Sequence, residues 1–278
     1  MSRSVIILSV LASLIGGCVS APSAVTLDTA GVEPSADVAE LAAVLADCLD
    51  ARGRVLPAKL QEHQGELDAQ LKRLAVTGPR ATPELYPTAD ARLTYAYNAA
   101  AAWSLKLMLL EGFPKDLHPG RLHERAFPLD GGTSSLSAIR RQLERDDADF
   151  RAALLLPCAC LQDASLPAQP FAANTVRGDL GQRLDDYVAD DRRVTISVAD
   201  RCIVYSPRLW QLRERLTADY HRRHGDLPVS YSTVLLGHTG GRAHRRLQDA
   251  IGYRETSAPP RGLTAMAEGI HFLWRPLK

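Results

Sequence analysis

The stretch Leu93–Leu110, LTYAYNAAAAWSLKLMLL, is apolar on every side of a helical projection. A helix of this kind is buried inside a domain rather than laid along its surface. Thr88 stands where it can cap the start, and Asp90 falls in the first turn, near the positive end of the helix dipole. Gly112 and Pro114 stop it. Tyr97 and Asn98 are the polar exceptions near the front. A buried amide must find hydrogen-bond partners, so Asn98 is expected to tie this helix to a neighbouring loop or strand. The run approaches the ~20 apolar residues of a membrane span. Asn98 and Lys106 lie inside it, however, and its alanines are weakly hydrophobic, so it reads as a core helix.

Working outward, 278 residues at 46% hydrophobic and 23% charged support a sizeable core. The net charge of +1 gives no global field that recruits nucleic acid. Residues 1–21 read as an export signal: Arg3 supplies the positive start and Val5 to Ile15 the apolar core. Leu14-Ile15-Gly16-Gly17-Cys18 looks like a bacterial lipobox, with small residues just before the cysteine that takes the lipid. Ile15 stands where leucine is usual, and cleavage after Val19-Ser20-Ala21 is the competing reading. Lipid on Cys18 makes the expected location the bacterial cell envelope, facing the periplasm, with the membrane as partner.

Residues 22–35 form a small-residue tether, and 36–278 a single globular domain. Ser35 is expected to cap a helix that buries Val38, Leu41, Leu45, Cys48 and Leu49. Leu60, Leu67, Leu71 and Leu74 mark one further helix, ended near Gly78-Pro79. Phe127–Leu129 reads as a short strand ending at Gly131-Gly132, and Ser134 or Ser135 as the cap of a helix carrying Leu136, Ile139 and Leu143. Ala152–Leu156 is a continuous apolar run, expected to be a buried strand. Asn174 starts another helix with Val176, Leu180, Leu184 and Val188 inward. Val194, Ile196 and Val198 alternate, as do Ile203 and Tyr205, which predicts a hairpin. Ser206-Pro207 opens a helix with Leu209, Leu212, Leu216 and Tyr220 buried. Val229–Leu236 is ambiguous between strand and helix, Arg242–Ile251 is helical, and Ile270–Trp274 is a candidate last strand. The expected class is α+β: a mainly helical domain around a buried central helix, with a small, largely antiparallel sheet.

These stretches together resemble the bacterial and plant domain-of-unknown-function family five-four-seven. Tyr95-Ala96-Tyr97-Asn98 matches its helix start, Gly131-Gly132 its glycine pair, and Ser135-Leu136-Ser137-Ala138-Ile139 its serine-leucine helix. Asp149 to Cys158 matches the pattern D-P-R-I-H-F-A-L-N-C, and Gly53-Arg54-Val55 and Tyr205-Ser206-Pro207-Arg208-Leu209-Trp210 also fit. The similarity runs from about Val38 to about Ile251. The departures are pointed. Arg140-Arg141-Gln142 replace a glutamate-histidine-glycine, Ala153 a histidine, and Pro157 an asparagine. A second family cysteine falls near Asp163. The resemblance implies a fold more than a function.

Cys158 and Cys160 are the most chemically pointed pair. A thiolate nucleophile needs a base and an orienting group. Tyr97 and Asn98 could orient such a site, and His118, His123 or His238 could supply a base from a loop, with nothing in the sequence to choose among them. The bland alternative makes both cysteines core or disulfide residues, with Cys202 the first choice of partner. Cys-x-Cys without a second pair is a poor zinc signal, and no metal or cofactor is expected. Arg213, Arg215, His221, Arg222, Arg223 and His224, and then Arg242, His244, Arg245 and Arg246, read as solvated cationic faces. Gly131-Gly132-Thr133-Ser134-Ser135 is no nucleophile elbow, and Gly237-His238-Thr239-Gly240-Gly241 no P-loop.

The leading expectation is a non-catalytic envelope lipoprotein that binds a partner or small ligand through a groove formed by Tyr97, Asn98, Cys158 and Cys160. Cys158 is then no competent nucleophile, because the family's histidines are missing and an apolar run precedes it. The alternative is a cysteine-dependent hydrolase or acyl transferase using Cys158. The lipobox makes its own prediction: Cys18→Ser should move the protein from the membrane to the soluble fraction of its host. Unchanged retention, with wild-type cleavage after Ala21, would refute it.

Overall fold

The computed structural model describes residues 24–50, 53–113, 122–158 and 163–257. The expected α+β class holds, with eleven α-helices and five short strands among the described residues. The signal segment, the lipobox, Pro114, His118, Cys160 and Ile270–Trp274 lie outside those residues. None of the described helices is long and apolar enough to cross a membrane.

The helices α1 (Ala39–Cys48), α2 (Pro57–Glu62) and α3 (Gln64–Val76) lead to α4 (Ala89–Leu110), which contains the quoted stretch. Thr88 caps α4 by accepting a hydrogen bond from the Ala91 N–H, and Asp90 lies in its first turn. From Tyr97 to Met108 every side chain of α4 is buried. It packs against α2, α3, α5 (Leu136–Asp146) and α7 (Val176–Ala189). The alanine run Ala99–Ala102 is fully inaccessible, and such short side chains let neighbouring elements approach the helix closely. Trp103 stacks on Phe127, with ring centroids 4.2 Å apart. Lys106, the charge inside the run, meets Asp68 at 2.6 Å.

Asn98 does what a buried amide must. Its Nδ2 donates to the Phe171 carbonyl at 3.1 Å, and its Oδ1 accepts from the Phe171 N–H at 2.8 Å. One side chain thus imitates a strand partner for the loop before α7. Tyr95 donates to the Leu74 carbonyl and Tyr97 to the Ala152 carbonyl, so three polar residues of one helix fasten three different segments.

Strands β1 (Phe127–Leu129) and β2 (Gly132–Ser134) form an antiparallel hairpin. Its two-residue turn, Asp130-Gly131, has positive φ at both positions, 54° and 67°, as a tight hairpin turn requires. The Asp130 carboxylate accepts from the Arg80 and Ala81 N–H groups, which brings it against Gly78, where a Cβ would stand 2.5 Å from it. The second sheet joins β3 (Val194–Ser197), β4 (Cys202–Tyr205) and β5 (Arg254–Thr256). β3 and β4 are the expected hairpin, while β5 adds a parallel edge that periodicity did not signal. Among the described residues there are therefore two small sheets rather than one.

Several local expectations are corrected. Ala152–Leu156 is not a strand: α6 (Phe150–Leu154) occupies most of it, capped by Asp149, which accepts from the Arg151 N–H. A short apolar run fits a buried helix as well as a buried strand, and the cap decides. The helix expected from Leu60 to Leu74 breaks at His63 into α2 and α3. That expected from Pro207 breaks at Leu212 into α8 (Pro207–Gln211) and α9 (Arg213–His224). Ser35 caps no helix; its hydroxyl accepts from the Asp37 N–H, and α1 begins at Ala39. The ambiguous Val229–Leu236 contains helix α10 (Tyr231–Leu236), capped by Ser230, and α11 (Gly241–Asp249) follows. Cys202 makes no disulfide; its sulfur lies 3.8 Å from Arg254 Nη2.

Replacing Asn98 by leucine keeps much of the volume but strands both polar groups of Phe171. It should destabilise the fold by about 1–3 kcal/mol in equilibrium urea unfolding, without changing the slope of the transition. Stability equal to wild type would show the clasp to be dispensable.

Candidate active site

Three side chains from separate parts of the chain meet behind α5 and α8. His123 follows α4 in a short helical turn. Cys158 follows α6 and Pro157, and its N–H donates to the Ala164 carbonyl at 3.0 Å. Pro157 and Ala164 pair as a parallel bridge, which brings Asp163 back beside Cys158. His123 Nε2 lies 3.8 Å from Cys158 Sγ and 2.9 Å from Asp163 Oδ2. All three residues are buried: Cys158 is 2% exposed and Asp163 1%.

The carboxylate has a second set of neighbours. Arg140 Nη2 donates to Asp163 Oδ1 at 2.7 Å, and Arg208 Nε approaches the same oxygen at 3.5 Å. Arg193 donates from Nε to the Asp163 carbonyl and from Nη2 to Ser165 Oγ. Arg140 is buried because it falls on the inward face of α5 with Leu136, Ile139 and Leu143. Arg208 comes from the first turn of α8, whose entry Ser206 caps.

Electrostatics follow from this crowding. Burial alone would raise the Asp163 carboxyl, but Arg140, His123 and Arg208 together outweigh it and hold the group well below the ordinary carboxylate range. Burial alone would lower the His123 imidazole, but the charge of Asp163 and the contact with it, assisted by Cys158, raise it to about 9. His123 is therefore an imidazolium at neutral pH. One nitrogen, Nε2, faces both sulfur and carboxylate, so the ring does not stand between them as in a serine-type triad.

Donor atoms of His123, Cys158 and Asp163 lie within 4.8 Å of one another, which is a possible three-ligand metal set. The charges argue against it. Arg140 and Arg208 already flank the shared carboxylate, and a further cation on it would be repelled by both. A negative sulfur suits these surroundings better than a further positive centre.

Of the candidate bases among the described residues, His123 is the one brought to Cys158. His238 instead packs edge-on against Phe150, and burial lowers its pKa. Tyr97 and Asn98 are buried and occupied by backbone groups, so the structure places them in the core rather than along an open groove. A cavity of about 730 Å³ beside the start of α4 and the β1–β2 hairpin has no cysteine or histidine in its lining. Sequence reasoning passed over Asp163, Arg140 and Arg208 as participants. A signal existed for Arg140, since an arginine one turn from Leu136 and Leu143 interrupts an apolar stripe and must find a buried anion.

Comparison of the chain with family models, curated proteins and solved structures finds no match to any of them.

The imidazolium yields a stability prediction. His123 is raised from 6.5 to about 9 on folding, so its contribution is fully present below pH 6.5 and is lost as pH rises through 9. Unfolding free energy should decline across that window in wild type. His123→Gln should lower stability and flatten that decline, as read by urea melts at several pH values. Parallel pH profiles would remove His123 from the account.

Proposed function

We propose that the protein is a cysteine-dependent acyl-transfer enzyme, a hydrolase or transferase, anchored in the bacterial envelope through lipid on Cys18. The observation that carries this reading is the Cys158 sulfur 3.8 Å from His123 Nε2, the nitrogen that also lies 2.9 Å from the Asp163 carboxylate. A thiolate beside an imidazolium is the reactive form of cysteine nucleophiles. In this scheme the Cys158 thiolate attacks the carbonyl carbon of the substrate. The bond to the leaving group breaks, and the leaving group takes the proton from His123 Nε2. Water or an acceptor nucleophile then attacks the thioester, returns a proton to Nε2 and releases Cys158. Asp163 keeps the imidazolium charged and fixed between turnovers, while Arg140 and Arg208 keep Asp163 ionised.

The base comes from a loop instead of the positions at which the resembling family carries histidine. The family likeness supports this reading only through Cys158 itself. The lipobox and the short apolar segment before it support envelope anchoring. A second reading, a non-catalytic envelope module that binds a partner, draws support from the 2% exposure of Cys158.

Thiol labelling separates the two. On folded protein, a mild alkylating reagent should modify Cys158 near neutral pH far faster than Cys48, whose thiol burial pushes up to about 12. His123→Gln should slow Cys158 labelling about tenfold or more, the scale of an activated against an ordinary thiol. Labelling of Cys158 only on unfolding would favour the binding module.

A further inference from the structure

The Cys158 site has a neighbour on its His123 side. A depression of about 380 Å³ is lined by the cationic His123, Arg140, Arg141 and Arg208, by two carboxylates, Glu124 and Glu144, and by Ser137 and Gln211. We propose that this depression binds the oxyanionic group, carboxylate or phosphate, of the substrate on which Cys158 acts; the proposal rests on the acyl-transfer reading.

Arg140 supplies the first argument. Its Nη2 is engaged by Asp163, but its Nε and Nη1 are buried with no hydrogen-bond partner. Buried donors left unmatched are costly, and those on a guanidinium more so. An oxyanion in the depression would give this guanidinium the second acceptor it lacks. Asp163 does not supply it, because its Oδ1 already serves both Arg140 and Arg208.

Charge balance supplies the second. Arg140, Arg208 and His123 all contact one carboxylate, Asp163, while Arg141, Glu124 and Glu144 complete the charged lining, so with His123 protonated the cations outnumber the carboxylates by four to three. Glu124 lies 3.8 Å from Arg141, with both side chains more than half exposed. Arg141, with its side chain 57% exposed, is the cation an incoming anion meets first; Arg208, 30% exposed, lies nearer Asp163, and Ser137 and Gln211 offer neutral donors in the same lining. A substrate carrying such a group next to its scissile acyl bond would be held with that bond toward Cys158.

The test alkylates Cys158 in the folded full-length protein with iodoacetate and with iodoacetamide at low salt, read by mass spectrometry. The iodoacetate-to-iodoacetamide rate ratio at Cys158 should exceed that of a small-molecule thiol by about tenfold or more, the scale of local electrostatic enrichment. Arg208→Met should abolish the excess, and Arg222→Met, a charge deletion on the exposed end of α9, should not. Inorganic phosphate and acetate should each be tried as protectants, and the one effective at lower concentration identifies the oxyanion. A ratio equal to that of the small thiol, unmoved by Arg208→Met, overturns the proposal while leaving the thiol reading intact. If Cys158 resists both reagents, the acyl-transfer reading falls and calorimetric titration with phosphate and acetate decides the rest. Binding lost in Arg208→Met would uphold the anion site, and no binding would overturn it.

Discussion

Asp163 is an ionised carboxylate that is almost wholly withdrawn from water, and the arrangement around it exists because that charge must be matched. Arg140 and His123 reach it directly, and Arg208 stands close behind. Breaking a buried ion pair by removing one partner is far more damaging than replacing both with apolar groups. The cluster therefore constrains α5, α8, the turn at His123 and the loop end at Asp163 to a single relative placement. Cys158 inherits its surroundings from that constraint. Its neighbour is a cation because the neighbour's other contact is an anion.

The central helix was legible because its cause is local and redundant. Thr88, Asp90, the apolar run and Gly112 all point to the same element, and the structure has it from Ala89 to Leu110. Asn98 was legible for a related reason: an amide in such a helix has to be satisfied, although which segment it would clasp could not be read. The β3–β4 hairpin followed from alternation, and α8 from a cap before a proline. By contrast, Ala152–Leu156 fits either periodicity, and the deciding Asp149 lies outside the run. β5 is only three residues long and owes its existence to the edge of β4.

The site was half legible. Cys158 stood out by residue type, and His123 was among the candidate bases, but nothing local ranks it above His238. The ranking is made by tertiary placement, since Phe150 takes one ring and Asp163 the other. Asp163 itself follows a stretch with no pattern, and its role emerges only once Arg140 is seen to be buried. The departures from the resembling family looked like the loss of a site because they were judged position by position. Arg140, counted there as a missing partner, is the residue that holds the carboxylate charged.

The cluster also bears on how the chain reaches its native state. His123, Arg140, Cys158, Asp163, Arg193 and Arg208 are spread over more than eighty residues, and no pair of adjacent elements contains enough of them to neutralise Asp163. Contacts of such sequence separation form late, after the local helices have been nucleated. Until they do, Asp163 is best left in water and Cys158 is an ordinary thiol. A partly folded chain would carry the right residues without their chemistry, so any special reactivity at Cys158 would be a hallmark of completed folding.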